Sequence, residues 1–562
     1  MPTKTLTGGY PGGYYLSPTF TKLDIEGSAS IGGSGVTTTA AHPSTVTNLG
    51  TVAGTLDGIV LSDGGRITNG SSTDGAALIS GSASDTYGGS AIVVKGAAGT
   101  VINRATIMNV AGPTAYYYGF SVDLQAGGTV TNGSAVDTTA LIAGGYGVEI
   151  GGVGTVNNFG TISSQSTHHG ASVSLSTGVV NNGVPSDKVA TLTDGVNMGV
   201  GTITNFGTIG FGILQSGGTI TNGTTKDPQA TIAGRALFFG AGTITNFGTI
   251  ANPGGTAVLF KSSSDRLVEE GSGVLIGRVV GDGGALELAA AAGTGTISGV
   301  GSSVNGFGQI VVDAGAGWDF SGPNMVRAGV TLTNESAIVD QGAFTNKGNL
   351  VLGALFQLAT GASLTNASTG HIDITGDTGI SAASGATGTK LVNAGTIDKT
   401  GGTGTSSITA AVSNTGAVFA SSGVLNVRGA VGGTGTWDID GGTLVFRDAV
   451  AAGGVVSFLS NGGQLELTDT AQFAAKVSGF AAGDTLDLRS ISFGSATMLS
   501  YSGTSTAGTL TVSNGSHVAK IALLGQYAAA NFAMSSDGQG GTDIGFVAHP
   551  SPALASLAGP GR

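Results

Sequence analysis

A short phrase recurs along the first 250 residues, and a chain that repeats itself at a near-constant interval folds as a stack of equivalent units. The phrase reads VTNLGTV around Asn48, VINRATI around Asn103, VNNFGTI around Asn158, and ITNFGTI around both Asn205 and Asn246. A second phrase alternates strictly with it: ITNGS at Asn69, VTNGS at Asn132, VNNGV at Asn182 and ITNGT at Asn222. The unit is thus about 20–30 residues long and comes in two flavours, which is the period of one β-solenoid turn. Within GTITNFGTI, Ile203 and Asn205 share one parity and Thr202 and Thr204 the other. A strand places alternate side chains on opposite faces, so Ile203 points to a core and the threonines to solvent. No run of about ten or more residues carries a 3.6-residue apolar period with helix-forming composition.

Asparagine at each bend has a physical use. In a parallel stack, an inward Asn at the same corner of every coil can donate its amide to one neighbouring coil and accept from the other. Asn and the following Gly also tolerate the left-handed backbone of a tight corner. We expect Asn48, Asn69, Asn103, Asn132, Asn158, Asn182, Asn205, Asn222 and Asn246 to form such a ladder. The competing reading is that Asn-Gly marks two-residue hairpins between antiparallel strands.

The texture changes along the chain. Residues 1–45 read as an N-terminal cap and 46–261 as the solenoid of alternating Asn-centred coils. Residues 262–322 are a charged solenoid segment holding Asp265, Arg266, Glu269 and Glu270 close together. Short coils resume over 323–449, with Asn334, Asn346, Asn366, Asn393 and Asn414 read as one further series. A β-rich module spans 450–548. There Leu486 and Leu488 alternate with Asp487 and Arg489, and Asn514-Gly515 sits between two alternating strands as a hairpin signal. Hairpins there would cover the last coil, whose edge is otherwise unpaired. Residues 549–562 read as a flexible tail. The expected fold is all-β: a right-handed parallel β-helix with a β-rich C-terminal capping module.

Composition excludes several classes. Gly supplies 104 of 562 residues, but without a three-residue period, so collagen is ruled out. Only 10% of residues are charged while 40% are hydrophobic, the opposite of the disorder signature. The net charge of −12 gives no basic footprint for nucleic acid. The absence of cysteine removes disulfides, thiolate metal sites and cysteine nucleophiles. No apolar run approaches the ~18 residues of a membrane-spanning helix. The opening MPTKTLTGGYPGGYYLSPTF has no apolar core of a Sec signal.

The Asn-centred GTITNFGTI phrases resemble the passenger regions of bacterial autotransporter-type adhesins and related surface β-solenoids of the pectin-lyase-like superfamily. Two longer stretches are similar to modules of large alphaproteobacterial surface proteins: DRLVEEGSGVLIGRVVGDGGALELAAAAGTGTISGVGSSVNGFGQIVVDAGAGWDFSG, and FAAGDTLDLRSISFG with the residues that follow it. The chain departs from that pattern in lacking a translocator barrel, for which many alternating ~10-residue strands with aromatic girdles are needed. The resemblance implies a secreted or cell-surface protein, exported by a type I route with an uncleaved signal. It implies a non-enzymatic adhesin or matrix protein, with glycans, a host or neighbouring cell surface and the export machinery as partners. The alternative it leaves is a polysaccharide-active β-helix enzyme, either lyase or hydrolase.

Candidates for chemistry are sparse, and no catalytic, cofactor-binding or metal-ligating residues are assigned. Coils from Val46 to Ile250 show no recurring acid at a matched position, so paired carboxylates for glycoside hydrolysis are not evident. The set Asp265, Arg266, Glu269 and Glu270 reads as a solvated face or a seam between segments. His168-His169 reads as part of an exposed loop. SSDGQGGTDIG, with Asp537 and Asp543, resembles one degenerate calcium turn. No cofactor is expected, with Ca2+ binding weak at most. Tyr87, Tyr116, Tyr117, Tyr118, Phe120 and Tyr146 offer either a sugar-stacking surface or packing between loop and coil.

Overall fold

The fold is that of a computed structural model that describes residues 2–73, 75–83, 88–111, 119–164, 170–186, 188–291 and 293–548. Strand makes up 56% and helix 1%, and parallel sheets form a β-solenoid of about 20 turns. The chain divides into two compact units, one of Met1–Gly295 with Ser303–Gly308, the other of Thr296–Ser302 with Gln309–Arg562.

Each coil of the first unit has three strands. One runs Gly99–Asn103, Thr106–Ala111 and Phe120–Leu124, each parallel to its counterpart in the next coil, within Gly128–Asn132, Leu141–Gly144 and Tyr146–Asn158. The inward position of the first strand is aliphatic in every coil: Val46, Ile67, Val101, Val130, Val156, Val180, Ile203, Ile220 and Ile244 stack in register. All nine are fully buried. Each contributes at most about 1.5–3 kcal/mol, and only if the coils on both sides are present. Flanking threonines stand on the outer face, Thr202 and Thr219 exposed and Thr204 and Thr221 half-buried.

Asparagine closes the first strand of nine consecutive coils, and the nine amides form one unbroken chain. Each Nδ2 donates to the next Oδ1, from Asn48 through Asn69, Asn103, Asn132, Asn158, Asn182, Asn205 and Asn222 to Asn246, at 2.8–2.9 Å. A second bond runs from each of the first eight Nδ2 atoms to a backbone carbonyl of the adjoining coil: Asn205 reaches Thr231 at 3.1 Å. Within its own coil, Asn205 Nδ2 donates to the Gly207 carbonyl at 3.2 Å. One side chain therefore ties its own corner to the next strand and the next corner. Both phrase flavours feed the same ladder, since they are consecutive coils, and the pairing throughout is parallel.

The segment expected to cap the stack runs in the same register. Thr3–Leu6 pairs with Lys22–Ile25, which pairs with the strand ending at Asn48. Leu6 and Ile25 hold the ladder position there, so residues 1–45 continue the coil but start it with an apolar corner. At the other end Asn246 Nδ2 donates to both oxygens of Glu269, at 3.0 and 3.2 Å, and the next residue in register is Leu288.

The second unit also stacks its coils in parallel strands. One sheet contains Ala343–Asn346, Ser363–Asn366, Lys390–Asn393 and Ala411–Asn414, and its asparagines make a second ladder, Asn346 to Asn366 to Asn393 to Asn414, at 2.8–2.9 Å. Asn334 does not belong to it. Its strand lies in another sheet, between Val312 and Leu352, and its amide donates to the Ala354 and Leu355 carbonyls. The twelve-residue step from Asn334 to Asn346 is therefore a move between sheets within one coil rather than a compact coil. Lys399 is a buried cation in this unit, held by the Gly401 carbonyl at 2.7 Å, the Gly376 carbonyl and Asp377.

The last coil of the stack includes Lys476–Ser478 and Asp484–Leu488. The hairpin at Asn514-Gly515 joins Ala507–Ser513 to Val518–Leu524, and the latter strand runs parallel to Lys476–Ser478. Thr542–Phe546 covers Asp484–Leu488 in the antiparallel sense. The final coil's edges are thereby paired, which removes a template for edge-to-edge aggregation.

Replacing Asn205 by Asp leaves a fully buried carboxylate facing three acceptors: Asn222 Oδ1 and the Gly207 and Thr231 carbonyls. We expect a loss of about 3–5 kcal/mol, read as a lower urea midpoint. An unchanged midpoint would show that the ladder does not hold the stack.

Candidate functional site

The third strand of successive coils in the first unit turns a row of polar side chains outward. Asp123, Glu149, Ser174 and Asn197 follow one another in register, and the apolar Leu214 ends the row. A matched pair of carboxylates is therefore present in adjacent coils, contrary to the expectation from sequence. Loop length hid it: the asparagines of these coils are separated by 34, 29, 26, 24, 23 and 17 residues. Counting backwards would have found it, because both acids lie nine residues before their asparagine, 123 to 132 and 149 to 158.

Beside this polar row runs an aromatic one. Phe120 and Tyr146 are in register, their ring centroids 5.3 Å apart and tilted at 36°. Further along the same side stands Phe211. Two adjoining hollows open here. One, of about 690 Å³, is lined by Tyr146, Glu149, Ser174, Asp194 and Asn197 among others; the second, of about 530 Å³, reaches Asn252. Phe211, Leu214 and Arg235 border both.

Phe211 costs the fold twice. Its φ is +50°, a left-handed backbone that a bulky side chain rarely adopts. Its ring is 80% exposed, so it buries little apolar surface in return. The sequence folds so because the chain turns sharply in Gly210-Phe211-Gly212 at a coil corner. The partner in register is Gly234, and a Cβ there would lie 2.4 Å from the Phe211 carbonyl carbon. A left-handed backbone at a non-glycine residue stores about 1–3 kcal/mol of strain, and among the described residues Phe211 shares it with Asp282 (φ +47°).

The groove is electrically lopsided. Burial raises the Glu149 carboxyl above its usual range, and the Asp123 charge beside it adds to this, against a hydrogen bond from Ser174. Burial likewise raises Asp123, opposed by a bond from Gln125 and by Lys95 and reinforced by Asp57. No described side chain forms an ion pair with Asp123, Glu149 or Arg235. Asp194 is engaged within the wall, accepting from the Ser164 N–H at 2.9 Å. Strands in a sheet are ~4.8 Å apart, so Arg235, four coils beyond Glu149, is roughly 19 Å away along the stack and beyond a Debye length of ~8 Å.

Other candidates resolve into structure. Asp265, Glu269 and Glu270 do not form a solvated face: all three are buried. Asp265 caps the Gly242, Lys261 and Ser262 N–H groups, Glu270 that of Ala291, and Arg266 pairs with Glu287. Asp537 is engaged by the Gln539 and Gly541 N–H groups on one oxygen and by Arg489, at 3.1 Å, on the other. Arg489 also meets Glu466 at 3.1 Å and Asp487 at 3.0 Å. Asp487, which alternates with leucines, is itself buried, and the antiparallel strand places Asp543 directly opposite it. Among the described residues no group of three or more His, Asp or Glu side chains is arranged to hold a metal ion. His168, His169, Tyr87, Tyr116, Tyr117 and Tyr118 lie outside the described residues.

These features define a class, a repeat-built β-solenoid with an internal amide ladder and an aromatic-and-acid groove on one face. No protein-family model, curated protein or solved structure matches the chain.

Two outcomes follow from the geometry. Phe211→Gly relieves the left-handed strain and loses little burial, so it should stabilise the first unit by about 1 kcal/mol; destabilisation in urea titration would show that the ring packs. Burial pushes the Asp487 carboxyl up to about 7 from 3.8, against the attraction of Arg489. The folded state then holds a proton that the unfolded state releases near pH 4, so this group's stabilisation is lost as pH rises from about 4 to 7. Asp487→Asn should flatten the melting temperature over that window, and an unchanged slope would contradict the assignment.

Proposed function

We propose that the chain is a non-enzymatic secreted or cell-surface adhesin or matrix protein whose first unit binds glycan chains in the groove of Asp123, Glu149, Ser174, Asn197 and Phe211. One observation carries the reading: an exposed aromatic ring held at the cost of backbone strain beside a row of hydrogen-bonding side chains. Sugar rings present an apolar face and a polar rim, so aromatic stacking with carboxylate and amide acceptors matches both. The rigid stack supports this use, because it holds these side chains in place before the ligand arrives. A charge-poor exterior with threonine rows suits contact with neutral polymers at a cell surface, reached through the export machinery.

A polysaccharide-active enzyme is the second reading, favoured by the Asp123–Glu149 pair. Adjacent coils put the two residues ~4.8 Å apart along the stack, near the carboxyl separation of a retaining glycosidase. Such an enzyme needs its two carboxyls driven apart, one protonated and one ionised. Here burial raises both in the same direction, which supports binding over cleavage.

The test is a screen of labelled oligosaccharides against the full chain. Retention without shortening of the chains is expected, weakened at least tenfold in Phe211→Ala. Shortening that depends on Glu149 would replace the binding reading with the enzymatic one, and retention indifferent to Phe211 would remove the groove from it.

A further inference from the structure

The groove has two unlike ends. At one, the aromatic pair Phe120 and Tyr146 lines the hollow with Glu149, and Asp123 lies one coil before Glu149 in register. At the other, Phe211 and Leu214 stand beside Arg235. Ser174 and Asn197 fill the two coils between. Building on the glycan-binding reading, we propose that the ligand is a linear glycan carrying free amino sugars, laid along the stacking direction with an ammonium group against Asp123 and Glu149.

Charge complementarity carries the choice. Asp57 acts on Asp123 and Asp123 on Glu149, while Lys95 is the opposing cation that acts on Asp123. The two carboxylates in register are partly withdrawn from water and have no ion-pair partner among the described residues. A hydroxyl donates hydrogen bonds to such carboxylates but leaves the charge uncompensated. An ammonium supplies three donors and the missing charge. The rings of Phe120 and Tyr146 favour the same group, since an aromatic face attracts a cation. An acidic glycan meets repulsion at this end.

The dimensions favour a chain over a single sugar. From Tyr146 to Phe211 the strands advance three coils, roughly 14 Å at ~4.8 Å per coil. The two aromatic stations are thus separated by more than one ring, and the hollows between them are continuous along Phe211, Leu214 and Arg235. Phe211 stacks a neutral ring while the acidic end reads the amine.

The experiment is calorimetric titration of the full chain with three hexasaccharides, a β-1,4-linked glucosamine oligomer, its fully N-acetylated form and a glucose oligomer, and with polylysine. It is run at about pH 6, above the ordinary carboxylate range. The glucosamine hexamer should bind at least tenfold more tightly than the acetylated one. That preference should vanish in Glu149→Gln and in Asp123→Asn, and shrink in high salt. Phe211→Ala should weaken both hexamers alike, leaving the preference intact. Equal affinity for the free and acetylated hexamers overturns the amino-sugar assignment while the glycan reading stands. Failure of all three hexamers to bind overturns both. Polylysine binding as tightly as the glucosamine hexamer, with no effect of Phe211→Ala, also overturns the assignment, because the groove would then read charge alone.

Discussion

A primary amide carries two donor hydrogens and one strong acceptor oxygen, and in a stack that repeats every ~4.8 Å this lets the same residue satisfy itself indefinitely. The nine-asparagine chain of the first unit rests on that match. A slip of one residue in any coil would set an amide against a threonine and turn its aliphatic neighbours outward. The ladder thus specifies register where the aliphatic stack alone specifies only a face. Its ends are made differently from its middle. Ile25 begins it with no polar group to satisfy, and Glu269 ends it with oxygens that accept from Asn246. Burial holds the Glu269 carboxyl well above its usual range, so the terminus avoids a bare internal charge.

Most of this was legible before any coordinates. Parity within GTITNFGTI separates core from surface, and Asn at a fixed place after the aliphatic residue marks the corner. Those signals sit inside a strand, where spacing is rigid. The groove was hidden because its residues follow loops of unequal length, so Asp123 and Glu149 fall out of step when counted from the preceding asparagine. Asn334 misled for the related reason that one phrase can end strands in two different sheets. Burial of Asp265 and Asp487 depends on what covers them, an adjoining turn in one case and a returning strand in the other. Composition cannot show that. Phe211 left one trace, a large aromatic between two glycines.

The two levels of the molecule are linked. A scaffold in which each coil is clamped on both sides can carry a left-handed phenylalanine and a pair of neighbouring acids without rearranging to relieve them. The left-handed Phe211 lies on the same face of the first unit as the hollows. The acids and the aromatic rings take up successive coils because the stack converts sequence repeats into a linear array, a geometry suited to a polymeric ligand.

The dependence of the stack on its buried corners is open to direct measurement by hydrogen–deuterium exchange of the intact chain. Peptides spanning the corners from Asn103 to Asn246 should be among the slowest to exchange in the first unit, and far slower than the exposed turn at Asn514-Gly515. Corner peptides that exchange as fast as that turn would contradict the account.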